Sequence, residues 1–261
     1  DNVGVAKTAL YYSTDPEAPL ESWTLIDEHN GSSYSQNIDT TVMPNGVVYV
    51  AAKIYDAVGN FTYSPKQRYM CDNQGPEQVK NVKCIAVDGT TATLSWSDVS
   101  DDDISYFVVE CKQSDGVWKS VSRTSTNLGV NLSGLTPEHD YVYRVIGYDK
   151  RSNRGTPSEE ITVTTLKDTI CPKVTKITPD PGYFKSEINL RFTAEDDYRV
   201  KSIEIQTSTD KESWKTVSEI KATGESAKCT FDCKLDLKNY EEGSVFVRAK
   251  VYDSYGNVTE D

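Results

Sequence analysis

Two stretches of this chain carry the same alternation. Residues 47–62, VVYVAAKIYDAVGNFT, align without a gap on 244–259, SVFVRAKVYDSYGNVT, with nine of sixteen positions identical. One parity is apolar in both, Val48, Val50, Ala52 and Ile54 against Val245, Val247, Ala249 and Val251. A period of two predicts a strand with one face in a core. The D-x-x-G-N that follows each run is turn chemistry. Upstream, DNVGVAKTALYYSTD at 1–15 aligns with DDYRVKSIEIQTSTD at 196–210, and SWTLIDE at 22–28 with SWKTVSE at 213–219, so the two ends form an internal repeat.

The repeat is unequal. Before Asp196 the chain carries CPKVTKITPDPGYFKSEINLRFTAE, two strand-like runs split by Pro-Asp-Pro-Gly, with no counterpart in the first copy. Phe61–Met70 supplies a further strand after the first copy only. The expectation is an all-β chain of three tandem β-sandwich modules, 1–73, 74–166 and 167–261, the first incomplete on its N-terminal side. A sandwich without its first strands exposes an edge and half a core. Upstream residues, or a strand from a neighbouring chain, are expected to cover it.

Between the repeats, TATLSW at 91–96 places Leu94 and Trp96 on one strand face, and ISYFVVECKQSDGVW at 104–118 places Tyr106 and Val108 on another. Leu135-Thr136-Pro137-Glu138-His139-Asp140-Tyr141 follows, with Tyr143 and Val145 alternating after it. A Tyr at such a corner buries its ring while its hydroxyl reaches backbone. This segment resembles the fibronectin type III family: a Trp on the second strand, a Tyr on the third, and the L-x-P-x-x-x-Y corner. The outer modules resemble the immunoglobulin-like repeats of bacterial surface and secreted proteins. Asp1-Asn2-Val3-Gly4-Val5 and Tyr55-Asp56-Ala57-Val58-Gly59-Asn60 carry that likeness, and Asp196-Asp197-Tyr198-Arg199-Val200 departs from it. These resemblances imply a scaffold fold and name no ligand.

Composition narrows the function classes. With 261 residues, three Ig-sized modules of roughly 100 residues or fewer fit. Sixteen Tyr and four Trp suit thin sandwiches. A formal net charge of -12 leaves no basic stripe for a phosphate backbone, so nucleic acid is not an expected partner. The densest apolar run, Val47–Ala52, is far short of the ~18 residues a membrane helix needs, so no membrane insertion is expected. Six Cys stand at 71, 84, 111, 171, 229 and 233 without C-x-x-C or neighbouring His, which leaves disulfides and buried thiols both open.

Candidate chemistry is sparse. Asp196-Asp197 and Asp253-x-x-Gly256-Asn257 should meet at one end of the third module and offer hard oxygens to Ca²⁺, against the simpler reading of ordinary Asx turns. Asp101-Asp102-Asp103 reads as a solvated loop. Asn30, Asn60, Asn131 and Asn257 begin N-x-S/T tripeptides. His29 and His139 have no nucleophile motif, and G-x-S-x-G, P-loop and H-E-x-x-H patterns are missing, so no catalytic, cofactor or metal residue is assigned and no enzyme is expected. Tyr11, Tyr12, Trp23, Trp118 and Trp214 are the aromatic candidates for a glycan surface. Trp23 and Trp214 are better read as packing, and Trp118 as exposed. The expected role is an extracellular, secreted or cell-surface spacer alongside other domains of a longer parent chain, an adhesin or the accessory region of a secreted enzyme. The alternative is a module set binding a glycan or host protein.

Overall fold

The structure, a computed structural model, describes residues 4–31, 35, 37–97, 99 and 101–260; Asp1-Asn2-Val3 of the opening motif lies outside them. Among the described residues the regular structure is antiparallel strand, apart from three single-turn 3-10 segments. No helix among them is long and apolar enough to cross a membrane. The chain divides into two compact units, one of Asp1–Gln78, Val99–Tyr106 and Ile146–Pro157, the other of Val79–Asp98, Phe107–Val145 and Ser158–Asp261.

The first unit holds one complete sheet, built from β1 (Val5–Ser13), β2 (Thr24–Asn30), β3 (Gly46–Asp56), β4 (Phe61–Tyr63) and β5 (Gln67–Cys71). The order is β2-β1-β3-β4, with β5 on the earlier half of β3. Thr8, Leu10 and Tyr12 stand opposite Ile54, Ala52 and Val50. The expected core parity holds only in part. Val48 is buried, whereas Val50, Ala52 and Ile54 are half-exposed. Among the described residues this module forms a single sheet, on which Met43, Val48 and Cys71 gather with Tyr12, Ile26 and Ile38, while Ala9 and Ala51 of the other parity and Trp23 are buried as well.

In the second unit β6 (Lys83–Val87), β7 (Thr91–Ser95) and β10 (Gly129–Ser133) form a sheet in the order β10-β7-β6. β8 (Ile104–Lys112), β9 (Trp118–Thr124), β11 (Asp140–Asp149) and β12 (Ile161–Thr164) form another, β12-β11-β8-β9, in which residues 104–106 of β8 and 146–149 of β11 are counted with the first unit. Ala92, Leu94 and Trp96 are buried on one parity, as read from the pattern, and Trp96 meets Phe107 edge-on at 5.6 Å. On β8 the buried parity is Phe107, Val109 and Cys111; Tyr106 and Val108 share the opposite, half-exposed face, where Tyr106 stacks on Tyr148 at 4.8 Å. At the corner the Tyr141 hydroxyl accepts from the Thr136 N–H at 2.8 Å, while Tyr143 and Val145 are buried beyond it.

The remaining strands of this unit are β13 (Lys173–Thr178), β14 (Glu187–Glu195), β15 (Val200–Ser208), β16 (Lys215–Lys221), β17 (Lys228–Asp236), β18 (Phe246–Asp253) and β19 (Val258–Glu260). They make two sheets, β13-β14-β17 and β16-β15-β18-β19. Leu190, Phe192, Ala194, Phe231, Cys233 and Leu235 of the one and Ile203, Ile205, Ala249 and Val251 of the other form a single buried cluster. Burying a side chain of this size stabilises by about 1.5–3 kcal/mol.

Candidate cation sites at the module junctions

One turn recurs three times. After β3, β11 and β18 an Asp is followed four residues later by an Asn: Asp56 and Asn60, Asp149 and Asn153, Asp253 and Asn257. In each, one oxygen of the Asp carboxylate accepts the backbone N–H groups two and four residues on, at 2.8–2.9 Å. The other accepts the Asn side-chain Nδ2–H at 2.6–2.7 Å. The residue before the Asn is left-handed, Gly59 at φ 92°, Gly256 at φ 91° and Ser152 at φ 69°. Glycine enters that region without Cβ strain, and Ser152 does not. Sequence reading found the outer two turns. The middle one hides behind Ser152, but Tyr148-Asp149 and Asn153 keep the Y-D-x-x-x-N spacing that could have exposed it.

Two of these turns grip the linker ahead of their module. Asn257 Nδ2 donates to the Asp168 carbonyl at 3.2 Å, and Asn153 Nδ2 to the Asp72 carbonyl at 3.0 Å. Both linkers read D-x-x-x-P, Asp72 to Pro76 and Asp168 to Pro172. In the first, a β-carbon on Gly75 would lie 2.3 Å from the Arg154 carbonyl carbon, so the backbone passes where only glycine fits.

The turns also bring carboxylates together. Asp168, Asp196 and Asp197 each place one oxygen within 4.8 Å of the others, and so do Asp72, Asp103 and Asp149. Asp196 and Asp197 were expected at this end of the third module; Asp168 of the linker was not. Asp101-Asp102-Asp103 is not simply a solvated loop, since Asp103 belongs to the first cluster. Asp253 is buried and fully engaged in its own turn, so it frames the second cluster rather than opening into it.

The two clusters differ in charge balance. At the first, Arg151 Nε lies 3.2 Å from Asp72 Oδ2, and Asp103 has its carboxyl pushed up by a hydrogen bond with Asp101, by burial and by the charges of Asp101, Asp149 and Asp72. At the second, Asp168 is 1% exposed. Its Oδ1 accepts the Ile170 N–H at 2.9 Å, while its Oδ2 has no donor. Asp196 Oδ2 accepts the Tyr198 and Arg199 N–H groups at 3.1 and 2.8 Å, and its Oδ1 likewise has none. Burial first, and the neighbouring aspartates after it, raise both carboxyls above the usual carboxylate range. Asp197 opens to solvent and its Oδ2 accepts from the Thr90 hydroxyl at 2.9 Å.

The other candidates separate. Trp118 is half-buried with the Arg144 guanidinium 4.0 Å over its ring, which corrects its expected exposure. Trp23 is buried and Trp214 half-buried; the indole N–H of each donates to a nearby carbonyl at 3.1 Å, Ala18 and Lys211. Among the described residues the most exposed aromatic is Tyr183, next to the 43% exposed Phe184 in the Pro-Asp-Pro-Gly loop. All six cysteines are free thiols, with Cys71, Cys111 and Cys233 buried. His139 packs edge-on against Tyr141 at 4.8 Å. Asn60 and Asn257 commit their side-chain nitrogens to the Asx turns.

Comparison with known proteins bears on the middle module. Residues 77–164 match the family model described as Fibronectin type III domain. No curated protein matches the chain. Similar solved structures include the fibronectin type-III domain of human fibronectin type III domain containing protein 3, at 25% identity over 38% of this chain and 94% of that one, TM-score 0.34. The FN1-FN3 domains of chicken CNTN1 are 15% identical over 63% and 56%, TM-score 0.38. The FN5 domain of Drosophila Lar is 21% identical over 36% and 99%, TM-score 0.31. With its family model, its two antiparallel sheets and its hydrogen-bonded tyrosine corner all in agreement, the middle module is a fibronectin type III domain, set in tandem between immunoglobulin-like β modules.

Proposed function

We propose that the chain is a non-catalytic structural spacer within an extracellular multidomain protein, an adhesin or the accessory region of a secreted enzyme. The observation that carries this reading is the grip on both linkers: Asn153 and Asn257, each fixed by a buried aspartate, hold the carbonyls of Asp72 and Asp168. A tandem binder with freely moving modules has no use for such ties, whereas a spacer depends on them. The extracellular placement rests on the likeness of the modules to surface and secreted repeats. Backbone relaxation of residues 72–76 and 168–172 is the test. Order parameters near ~0.85, as in strands, are expected, and values below ~0.6 defeat the reading.

The exposed pair Tyr183 and Phe184 favours a second reading, a glycan- or protein-binding surface. In that case retention on a polysaccharide column should fall in Tyr183→Ala with the melting curve unchanged.

A further inference from the structure

We propose that Asp168, Asp196 and Asp197 form a Ca²⁺ site at the junction ahead of the third module. Three carboxylates with oxygens within 4.8 Å of one another repel, and no Lys or Arg pairs with any of the three among the ion pairs of the described residues. The independent observation is the state of the buried atoms. Asp168 is almost wholly out of solvent, yet its Oδ2 has no donor, and Asp196 Oδ1 is in the same condition. Buried polar atoms are satisfied as a rule, and buried charges are paired or hold a metal. The exceptions ask for a partner that is not a protein hydrogen-bond donor.

The donor set selects the ion. Oxygen alone, without His nitrogen or thiolate in the cluster, suits a hard cation. Ca²⁺ tolerates irregular sets of six to eight oxygens, mono- or bidentate, completed by water, while Mg²⁺ demands near-octahedral geometry. The solvent-open Asp197 provides the entry path. Partial exposure and few protein ligands place the affinity in the range of extracellular modules, about 10⁻⁴–10⁻³ M.

Cation binding here has a mechanical consequence. Asp168 belongs to the linker, Asp196 and Asp197 to the loop between β14 and β15, and Thr90 in the β6–β7 turn donates to Asp197. One ion would fasten the linker to that loop beside the Asn257 tie. The first junction serves as an internal control. It has the same turn and the same D-x-x-x-P linker, but Arg151 already brings a positive charge to Asp72, so it is assigned no ion. The site stands whether or not the chain is a spacer, because linker order and ion binding are read by separate measurements.

The experiment is calorimetric titration of CaCl₂ into the chelator-stripped full chain, with thermal melts of the same samples. One equivalent is expected, with a rise in melting temperature that equimolar MgCl₂ does not reproduce. Asp197→Asn and Asp168→Asn should each weaken binding at least tenfold, while Asp72→Asn should leave it unchanged. Asp168→Asn should also melt no lower than the parent without metal, since it removes a buried charge and retains an acceptor for Ile170; an aspartate with a merely structural role would melt lower. Absence of binding at 10 mM CaCl₂ overturns the proposal. So does binding that survives both second-junction variants, or that is lost in Asp72→Asn.

Discussion

The two outer modules contain the same pair of strands in the same register and bury it differently. Leu10 stands opposite Ala52 as Ile205 stands opposite Ala249, and both pairings carry a bulge at the start, between Val5 and Lys7 and between Val200 and Ser202. The neighbouring strand repeats a second bulge, at Leu10/Tyr11 and at Ile205/Gln206. Hydrogen bonding along the ladder is therefore insensitive to what covers the sheet. In the third module β14 and β17 lay Leu190, Phe192, Phe231 and Leu235 over it, and Ile205 and Ala249 lose all contact with solvent. In the first, Leu10 and Ala52 remain half-exposed. Alternation specifies a ladder, while burial needs a second layer.

The largest test of this contrast is truncation on the shared face. Ile205→Ala should cost about 2–5 kcal/mol, as cavity-forming core changes do, whereas Leu10→Ala should cost less, under about 1.5 kcal/mol, because Leu10 is only half-buried while Ile205 is fully buried. Hydrogen exchange at the amides of each sheet reads the two effects separately. Equal losses would mean that the first sheet has a cover.

Next come the turns. Asn257→Ala removes the donor to the buried Asp253 and to the Asp168 carbonyl, and should cost about 1–3 kcal/mol. Asn60 holds only Asp56 in an exposed turn, so Asn60→Ala should shift the melting curve much less. Between them, Ser152→Gly should stabilise by up to about 1 kcal/mol, since it relieves a left-handed serine. A loss of stability there would show that the serine side chain matters more than its φ.

The smallest effect is pH-dependent and confined to one module. Glu204 accepts hydrogen bonds from Thr216, Gln206 and Tyr252, and these, Thr216 foremost, hold its carboxyl below the usual range. A lowered folded pKa means stability that is present above the unfolded value, near 4.3, and lost as pH falls through the folded one. The aligned residue of the first module is Ala9, which does not titrate. Acidification below pH 4.5 should speed exchange in β15 and β16 relative to a Glu204→Gln variant, which should lack this acid limb.

The third module was legible in part, where alternation and burial agree: Ala249 and Val251 are buried where the pattern puts them, while Val245 and Val247 are only half-buried. The corner at Tyr141 was legible too, since one side chain and a fixed spacing make its hydrogen bond. On β8 Tyr106 and Val108 share a face as read, but the pattern could not choose the buried one, because Tyr106-Phe107-Val108-Val109 is apolar on both parities and periodicity has nothing to discriminate. Trp118 looked exposed beside the Asp115-Gly116 turn, but Arg144, distant in sequence, covers it. The carboxylate clusters were half visible. Asp196 and Asp197 stood out as neighbours, while Asp168 and Asp72 were isolated acids in short linkers, and only folding carries them to the loops they join.

The strands of the repeats, the Asx turns and the fibronectin type III signature of the middle module are readable from the residues in order along the chain. These depend on local spacing, on backbone hydrogen bonds and on side chains that reach a few residues away. Long-range packing sets which apolar faces are buried, that Arg151 pairs with Asp72 at one junction, and that two carboxylate oxygens at the other are buried without a donor. Burial and charge pairing depend on what arrives from distant parts of the chain, and no local pattern encodes that arrival.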